Sequence, residues 1–288
     1  MSVVARMRAA PPAIGLLLFS SAWQLAVADQ APLAPTEQPP LAAAPATEDR
    51  LLFSANGDWL TGGGGGGGAS ALWSRTFAPQ DVLGVGAEYQ QIANAHWTNG
   101  VLSGSLGLGS GTHPTAVYAE VHEGAGDIGT QSFTYSVVTA GLLNTPAQWL
   151  TVQLEERRID VDTSHGNLPK LGLALRVAQP LLVSVSYADT VGGNLGTQLT
   201  TLRIDYAGRS LNAFAGAAGG RAAPAVLNLL GQIIAPRPKL KDLFAGVGRS
   251  FSRADWQLLA DYEDLEGFKR TTITLLCTLH LDGRSRPP

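Results

Sequence analysis

The sequence predicts an all-β, antiparallel up-and-down transmembrane β-barrel of about fourteen strands, with twelve as the alternative count. Three observations carry this. Short runs of alternating apolar and polar residues recur from Arg50 to Leu281, the period-2 signature of strands with two unlike faces. Charged residues make up 15% of the chain, against ~25% in soluble globular proteins. Glycine reaches 34 of 288 residues, well above the usual ~7%.

The N-terminus comes first. Arg6 and Arg8 precede an apolar run from Ala13 to Ala22, and Ala26-Val27-Ala28 has the small-x-small form of a cleavage site. Residues 1–28 therefore read as a cleaved signal peptide, with an apolar run short of the ~20 residues of a spanning helix. No cysteine stands at the cleavage point, which argues against a lipid anchor. Residues 29–49, rich in Pro and Ala, read as a periplasmic linker. The barrel is expected over 50–281 and a polar tail over 282–288.

Fourteen strand candidates follow, at 50–61, 69–78, 81–92, 97–109, 114–123, 130–141, 147–160, 168–178, 180–190, 197–207, 210–220, 240–250, 254–264 and 269–281. Clusters of Gly, Pro, Asn and Asp separate them. Connections such as APQD (78–81) and AQP (178–180) are tight. TGGGGGGGAS (61–70), GAGDIGT (124–130), DVDTSHGNLPK (160–170) and the stretch 221–239 read as longer loops. Short turns alternating with long loops suit an outer-membrane barrel with both chain ends on the periplasmic, short-turn side. AVLNLLGQIIA (225–235) is a short helix or an apolar loop segment. A soluble β-sandwich is the competing fold, though Greek-key connections give no reason for the alternation.

The two faces of each run differ. Leu83, Val85, Ala87 and Tyr89 oppose Gly84, Gly86 and Glu88; Leu202, Ile204 and Tyr206 oppose Arg203 and Asp205. Aromatics recur at the ends of the apolar faces, and Tyr89, Tyr187, Tyr206, Trp256 and Tyr262 are the expected interfacial girdle. The opposite faces hold Glu88, Glu120, Arg176, Arg203, Asp205, Asp261 and Glu263. Unpaired charge is costly to bury, so these seven are the lumen-lining candidates. They carry both signs, which predicts no strong charge selectivity. In TTITLLCTLHL (271–281), Ile273, Leu275, Cys277 and Leu279 are expected to face lipid, with Leu276 breaking the pattern.

Motifs for chemistry are weak. The glycine run 62–68 lacks a following Lys-Ser or Lys-Thr, so it does not form a phosphate loop. GAGDIG (124–129) fits G-x-G-x-x-G but precedes a strand and not a helix. Ser164-His165 in a loop, and His122 two residues from Glu120, raise a lipid hydrolase as a further alternative, without an identifiable catalytic set. Glu155-Glu156-Arg157-Arg158 reads as a solvated strand tip. The scattered histidines and the single Cys277 offer no metal cluster and no internal disulfide. No cofactor and no nucleic-acid partner is expected from a net charge of -3.

The layout of signal peptide, linker and ~230 residues of Gly-rich strands, from ASALWSRTF to TTITLLCTLHL, resembles small bacterial outer-membrane barrels. Among these it is similar to the YaiO-like barrels. The resemblance implies an outer-membrane location. It also implies outer-membrane lipids, the barrel-assembly machinery and polysaccharide-export components as partners. The expected function is a passive channel or export conduit for small solutes or surface polysaccharide, with a non-conducting adhesion barrel as the rival. The chain departs from the pattern at its end, where Leu281 and DGRSRPP replace a terminal aromatic.

Overall fold

The computed structural model describes residues 47–61, 64–78, 80–108, 114–162, 164–193, 197–208, 210–221, 239–266 and 268–281. The signal peptide, residues 29–46 of the linker, segment 225–235 and the tail lie outside them. The strands are β1 (Glu48–Leu60), β2 (Gly65–Ala78), β3 (Asp81–Ile92), β4 (Ala95–Gly107), β5 (Thr115–Ile128), β6 (Gln131–Ala147) and β7 (Leu150–Val161). They continue with β8 (Ser164–Ala178), β9 (Leu181–Asp189), β10 (Val191–Gly193), β11 (Gln198–Ala207), β12 (Leu211–Arg221), β13 (Lys239–Ser250), β14 (Ala254–Leu265) and β15 (Phe268–His280).

Apart from β10, the strands pair antiparallel in chain order, with β9 joined to β8 and β11, and β15 pairs with β1 from Arg50↔His280 to Leu60↔Arg270. The sheet thus closes into a barrel of fourteen staves, with β10 a short continuation of β9 that meets β8 at Val191↔Asn167. Closure removes the unpaired edges that an open sheet would expose. β1 starts and β15 ends at the same rim, the near rim; the opposite one is the far rim.

The connections differ from expectation. At the far rim, Ala93-Asn94 and Gly129-Thr130 are two-residue hairpins, and two residues also separate β7 from β8 and β14 from β15. Stretches 124–128 and 164–170 belong to β5 and β8, so the loops expected there are strand. Ala93, Gly129 and Asp162 take φ of 52°, 60° and 47°, the positive values with which a two-residue turn follows the right-handed strand twist. The stretch 222–238 between β12 and β13, read from the sequence as a longer loop, lies outside the described residues.

The glycine run is also strand from Gly65 onward. Gly68 lies between Asn56 of β1 and Gln90 of β3, and a Cβ there would meet the Gln90 side chain. Its bareness lets Gln90 Nε2 reach across β2 to donate to Asp58 Oδ2, at 2.8 Å.

The outer surface is apolar through the middle of the barrel. Leu83, Val85, Leu102, Leu154, Leu173, Val185, Leu202, Ile204, Leu243, Leu258 and Leu275 all point outward and are exposed. Trp59, Tyr89, Tyr187 and Tyr262 border this band towards the far rim; Phe77, Trp149, Tyr206, Phe251 and Trp256 border it towards the near rim. Two of the far-rim tyrosines direct their hydroxyls rimward: Tyr89 donates to Gln91 Oε1 (3.2 Å) and Tyr187 to Asp189 Oδ2 (2.9 Å). Cys277 lies on this outer register, as do Ile273, Leu275 and Leu279, while Leu276 is buried inside.

Candidate functional site

The inner wall is layered. Followed inward from the near rim, β1 presents Leu52, Ser54, Asn56, Asp58 and then Leu60. On β14 the order is Leu259, Asp261, Glu263, Leu265; on β15 it is Leu276, Thr274, Thr272, Arg270, Phe268. On β13 it is Phe244, Asp242, Leu240. Each of these strands places polar groups between two apolar positions. Lateral pairing aligns the repeats into one apolar cluster (Leu52, Leu72, Val101, Leu259, Leu276) and a second, at the far rim, that includes Leu60, Ile92, Trp97, Phe133, Val137, Leu265 and Phe268.

Between these clusters on the β1, β13–β15 side sits a sealed polar layer. Arg270 Nε lies 2.9 Å from Glu263 Oε2 and 3.8 Å from Asp58 Oδ1. Asp58 also accepts from Thr272 Oγ1 (2.6 Å), Gln90 Nε2 (2.8 Å) and Asn56 Nδ2 (2.9 Å). Asp242 and Asp261 complete the group, both buried. Such a network is worth having only when its members are satisfied by one another.

A second polar group lies on β3–β5. His122 Nε2 is 2.5 Å from Glu120 Oε1, and its Nδ1 is 3.1 Å from Asn99 Nδ2, which donates to Glu88 Oε2 at 3.3 Å. Both ring nitrogens of His122 are thus engaged by a carboxylate and an amide. Ser164 and His165, adjacent on β8, point to opposite faces, with Ser164 inward.

A third group lies on β5–β8 and β11. The Glu155 carboxylate is held by Tyr118 Oη (2.7 Å), Arg157 Nη2 (3.2 Å) and Gln153 Nε2 (3.2 Å). Lys170 Nζ stands 4.0 Å from it. Arg203 bonds Asp205 through Nε (2.9 Å) and Nη2 (2.6 Å) and stacks over Phe214 at 4.0 Å. The segment Glu155–Arg158 is accordingly no solvated tip. Glu155 and Arg157 face inward, Glu156 and Arg158 outward. A cavity of ≈ 50 Å³ opens here between Gln153, Lys170, Ser184, Thr201 and Arg203.

At the near rim, His280 Nδ1 lies 2.7 Å from Glu48 Oε1 and its Nε2 3.0 Å from Asp255 Oδ2. This clasp joins the first strand to the last two.

Of the sequence-derived residues, Glu88 and Glu120 fall in the His122 group and Asp261 and Glu263 in the sealed layer. Arg203 and Asp205 form a pair of their own, and Arg176 stands on the inward register near the end of β8. Tyr89, Tyr187, Tyr206, Trp256 and Tyr262 all stand on the outer surface. Sequence reasoning missed Asp58, Asp242, Arg270, Gln90, Asn99, Glu155 and Lys170. Strict inward parity, counted from Glu88 through the strand pairing, would have gathered them. Among the described residues no group of His, Cys, Asp or Glu is arranged to hold a metal ion.

No family model and no curated protein matches this chain. Solved structures do match in fold. The TodX deltaS2S3 mutant, a monoaromatic hydrocarbon channel, aligns with a TM-score of 0.55 at 9% identity over 83% of this chain and 91% of its own. A FadL homologue from Pseudomonas aeruginosa gives 0.53 at 9% identity over 81% and 90%. The CymD monoaromatic hydrocarbon channel gives 0.53 at 10% identity over 83% and 89%. At these identities the likeness is one of fold: this chain is a closed antiparallel β-barrel of the architecture those proteins share.

Proposed function

We propose that this chain spans the outer membrane and acts as a passive channel for small solutes. The observation that carries the membrane assignment is the outer surface: an apolar band on a closed barrel, bounded on both sides by aromatic residues. Leaving so many leucines and valines in water would forfeit ~1.5–3 kcal/mol for each large side chain that burial would gain. Lipid removes that cost, and the tyrosine hydroxyls directed rimward fit an interface. The channel reading is supported by the polar groups that β5, β7–β9 and β11 carry on the inner wall and by the shared fold with TodX and CymD, which are monoaromatic hydrocarbon channels. Passive conduction needs no covalent step.

Within this reading the inward charged residues line or brace the conduit. On this reading the chain is a YaiO-like barrel that serves surface-polysaccharide export, with β15 handled by the barrel-assembly machinery. A non-conducting barrel is the second reading, and the sealed layer around Arg270 between two apolar clusters favours it on the β1, β13–β15 side. Planar-bilayer recording of the refolded protein decides between them. Discrete conductance steps support the channel, and a silent membrane containing heat-modifiable, folded protein rejects it.

A further inference from the structure

We infer that the cavity between β6–β9 and β11 is a binding station for a small oxyanion group, a carboxylate or a phosphate. This deepens the channel reading and rests on it for the solute's route, though not for binding itself. The cavity measures ≈ 50 Å³ and is enclosed by Thr151, Gln153, Lys170, Ser184, Ser186 and Thr201, with Arg203 and Phe244 completing it. That size admits a small charged group and not a whole sugar.

The electrostatics favour an anion. The charged residues on the cavity wall, Lys170 and Arg203, are both cations; behind them Glu155 is paired with Arg157 as well as facing Lys170, and Asp205 is paired with Arg203, which leaves one excess positive charge in the group. Glu155 already accepts from Tyr118, Arg157 and Gln153. Asp205 is taken by Arg203. Lys170 is different. Its side chain is only 15% exposed, and its nearest carboxylate oxygen is 4.0 Å away, beyond hydrogen-bond reach. An ammonium carries three donors. A largely buried one whose nearest described carboxylate lies beyond hydrogen-bond reach, beside hydroxyls that can also donate, is arranged to receive an oxyanion. Gly172 contributes by omission: a Cβ there would come within 3.0 Å of Gln153 Oε1, so glycine leaves the Gln153 amide its place at the cavity wall.

The test uses the refolded full-length protein in detergent micelles, where conduction plays no part. Inorganic phosphate and acetate are titrated separately by calorimetry. Saturable binding of at least one is expected, weakened at least tenfold in Lys170→Met and restored in Lys170→Arg. Arg249→Met, which removes the same charge from the outer surface, should leave the affinity unchanged. Preference for phosphate or for acetate identifies which oxyanion the site takes. A measurement on the unaltered protein guards against misfolded variants: phosphate should slow acetylation of Lys170, read by mass spectrometry, without slowing that of Lys241 or Lys269. No saturable binding of either probe by folded protein, or equal affinity in Lys170→Met, overturns the assignment. A protein that binds the probe but shows no conductance sinks the channel and leaves the site standing.

Discussion

Arg270 and Glu263 face each other across the β14–β15 ladder, their side chains only 2% and 1% exposed, with Nε and Oε2 2.9 Å apart. Asp58, Asp242 and Asp261 share the same layer, so one guanidinium serves four carboxyl groups. Removing the cation leaves these groups facing one another without it. Arg270→Met should therefore destabilise the barrel by ~3–5 kcal/mol, the usual cost of breaking a buried pair by one partner. The double variant Arg270→Met/Glu263→Gln should lose less than the sum of the two single changes. Urea unfolding in lipid vesicles, followed by tryptophan fluorescence, measures both. Strict additivity would mean the two groups are not coupled.

Leu258 lies mid-strand on the outer face of β14 and is 49% exposed. In a water-soluble protein an arginine at so exposed a position would be nearly neutral. In a bilayer Leu258→Arg should cost ~2–4 kcal/mol if the position is near the midplane. Folding free energies in vesicles distinguish the two, and a change under ~0.5 kcal/mol, typical of a solvated surface site, would place this face in water.

Cys277 is the sole thiol of the chain and sits on the outer register of β15. The unaltered protein can thus report its own environment. A pyrene maleimide attached at Cys277 should be quenched by doxyl-labelled lipid tails and shielded from aqueous iodide. The opposite pattern would contradict the lipid-facing assignment.

Ala93 occupies the first position of the β3–β4 hairpin with φ of 52°. A side chain there pays about 1–2 kcal/mol for its Cβ in left-handed backbone. Ala93→Gly should recover part of this, netting a gain of roughly 0.5–1 kcal/mol after the unfolded chain's added freedom is counted. A higher urea midpoint at constant slope would register it.

The strands were the most legible part of the chain, because a period of 2 between unlike faces survives without any knowledge of neighbours. Leu83, Val85 and Tyr89 could be assigned to one face from their spacing alone. The same spacing misjudged the far rim. Gly124–Ile128 and Ser164–Lys170 look like loops by composition, yet pairing across the sheet extends the ladder through them. The glycine run failed for a related reason: at Gly66 a Cβ would run into the β3 backbone at Gln91 and Ile92, and Gly68 is bare so that side chains from β1 and β3 can cross above it. Such a reason exists only once three strands are side by side. The interior was legible in kind and not in grouping. Asp261 and Glu263 were visible as inward charges, but their partners Arg270 and Asp58 come from β15 and the opposite end of the chain. A register of about two hundred residues' separation is what joins Asp58 to Thr272.

The clasp of His280 on Glu48 and Asp255 has a consequence for how the chain can be cut. Because the first and last staves are neighbours and end at one rim, the barrel is a ring with no privileged starting stave. Joining residue 48 to residue 280 by a short bridge and opening the chain at the Gly129-Thr130 hairpin would preserve every pairing around the wall. Exposed hairpin tips are where such permutation is tolerated. The order in which the staves are made is therefore separable from the order in which they stand.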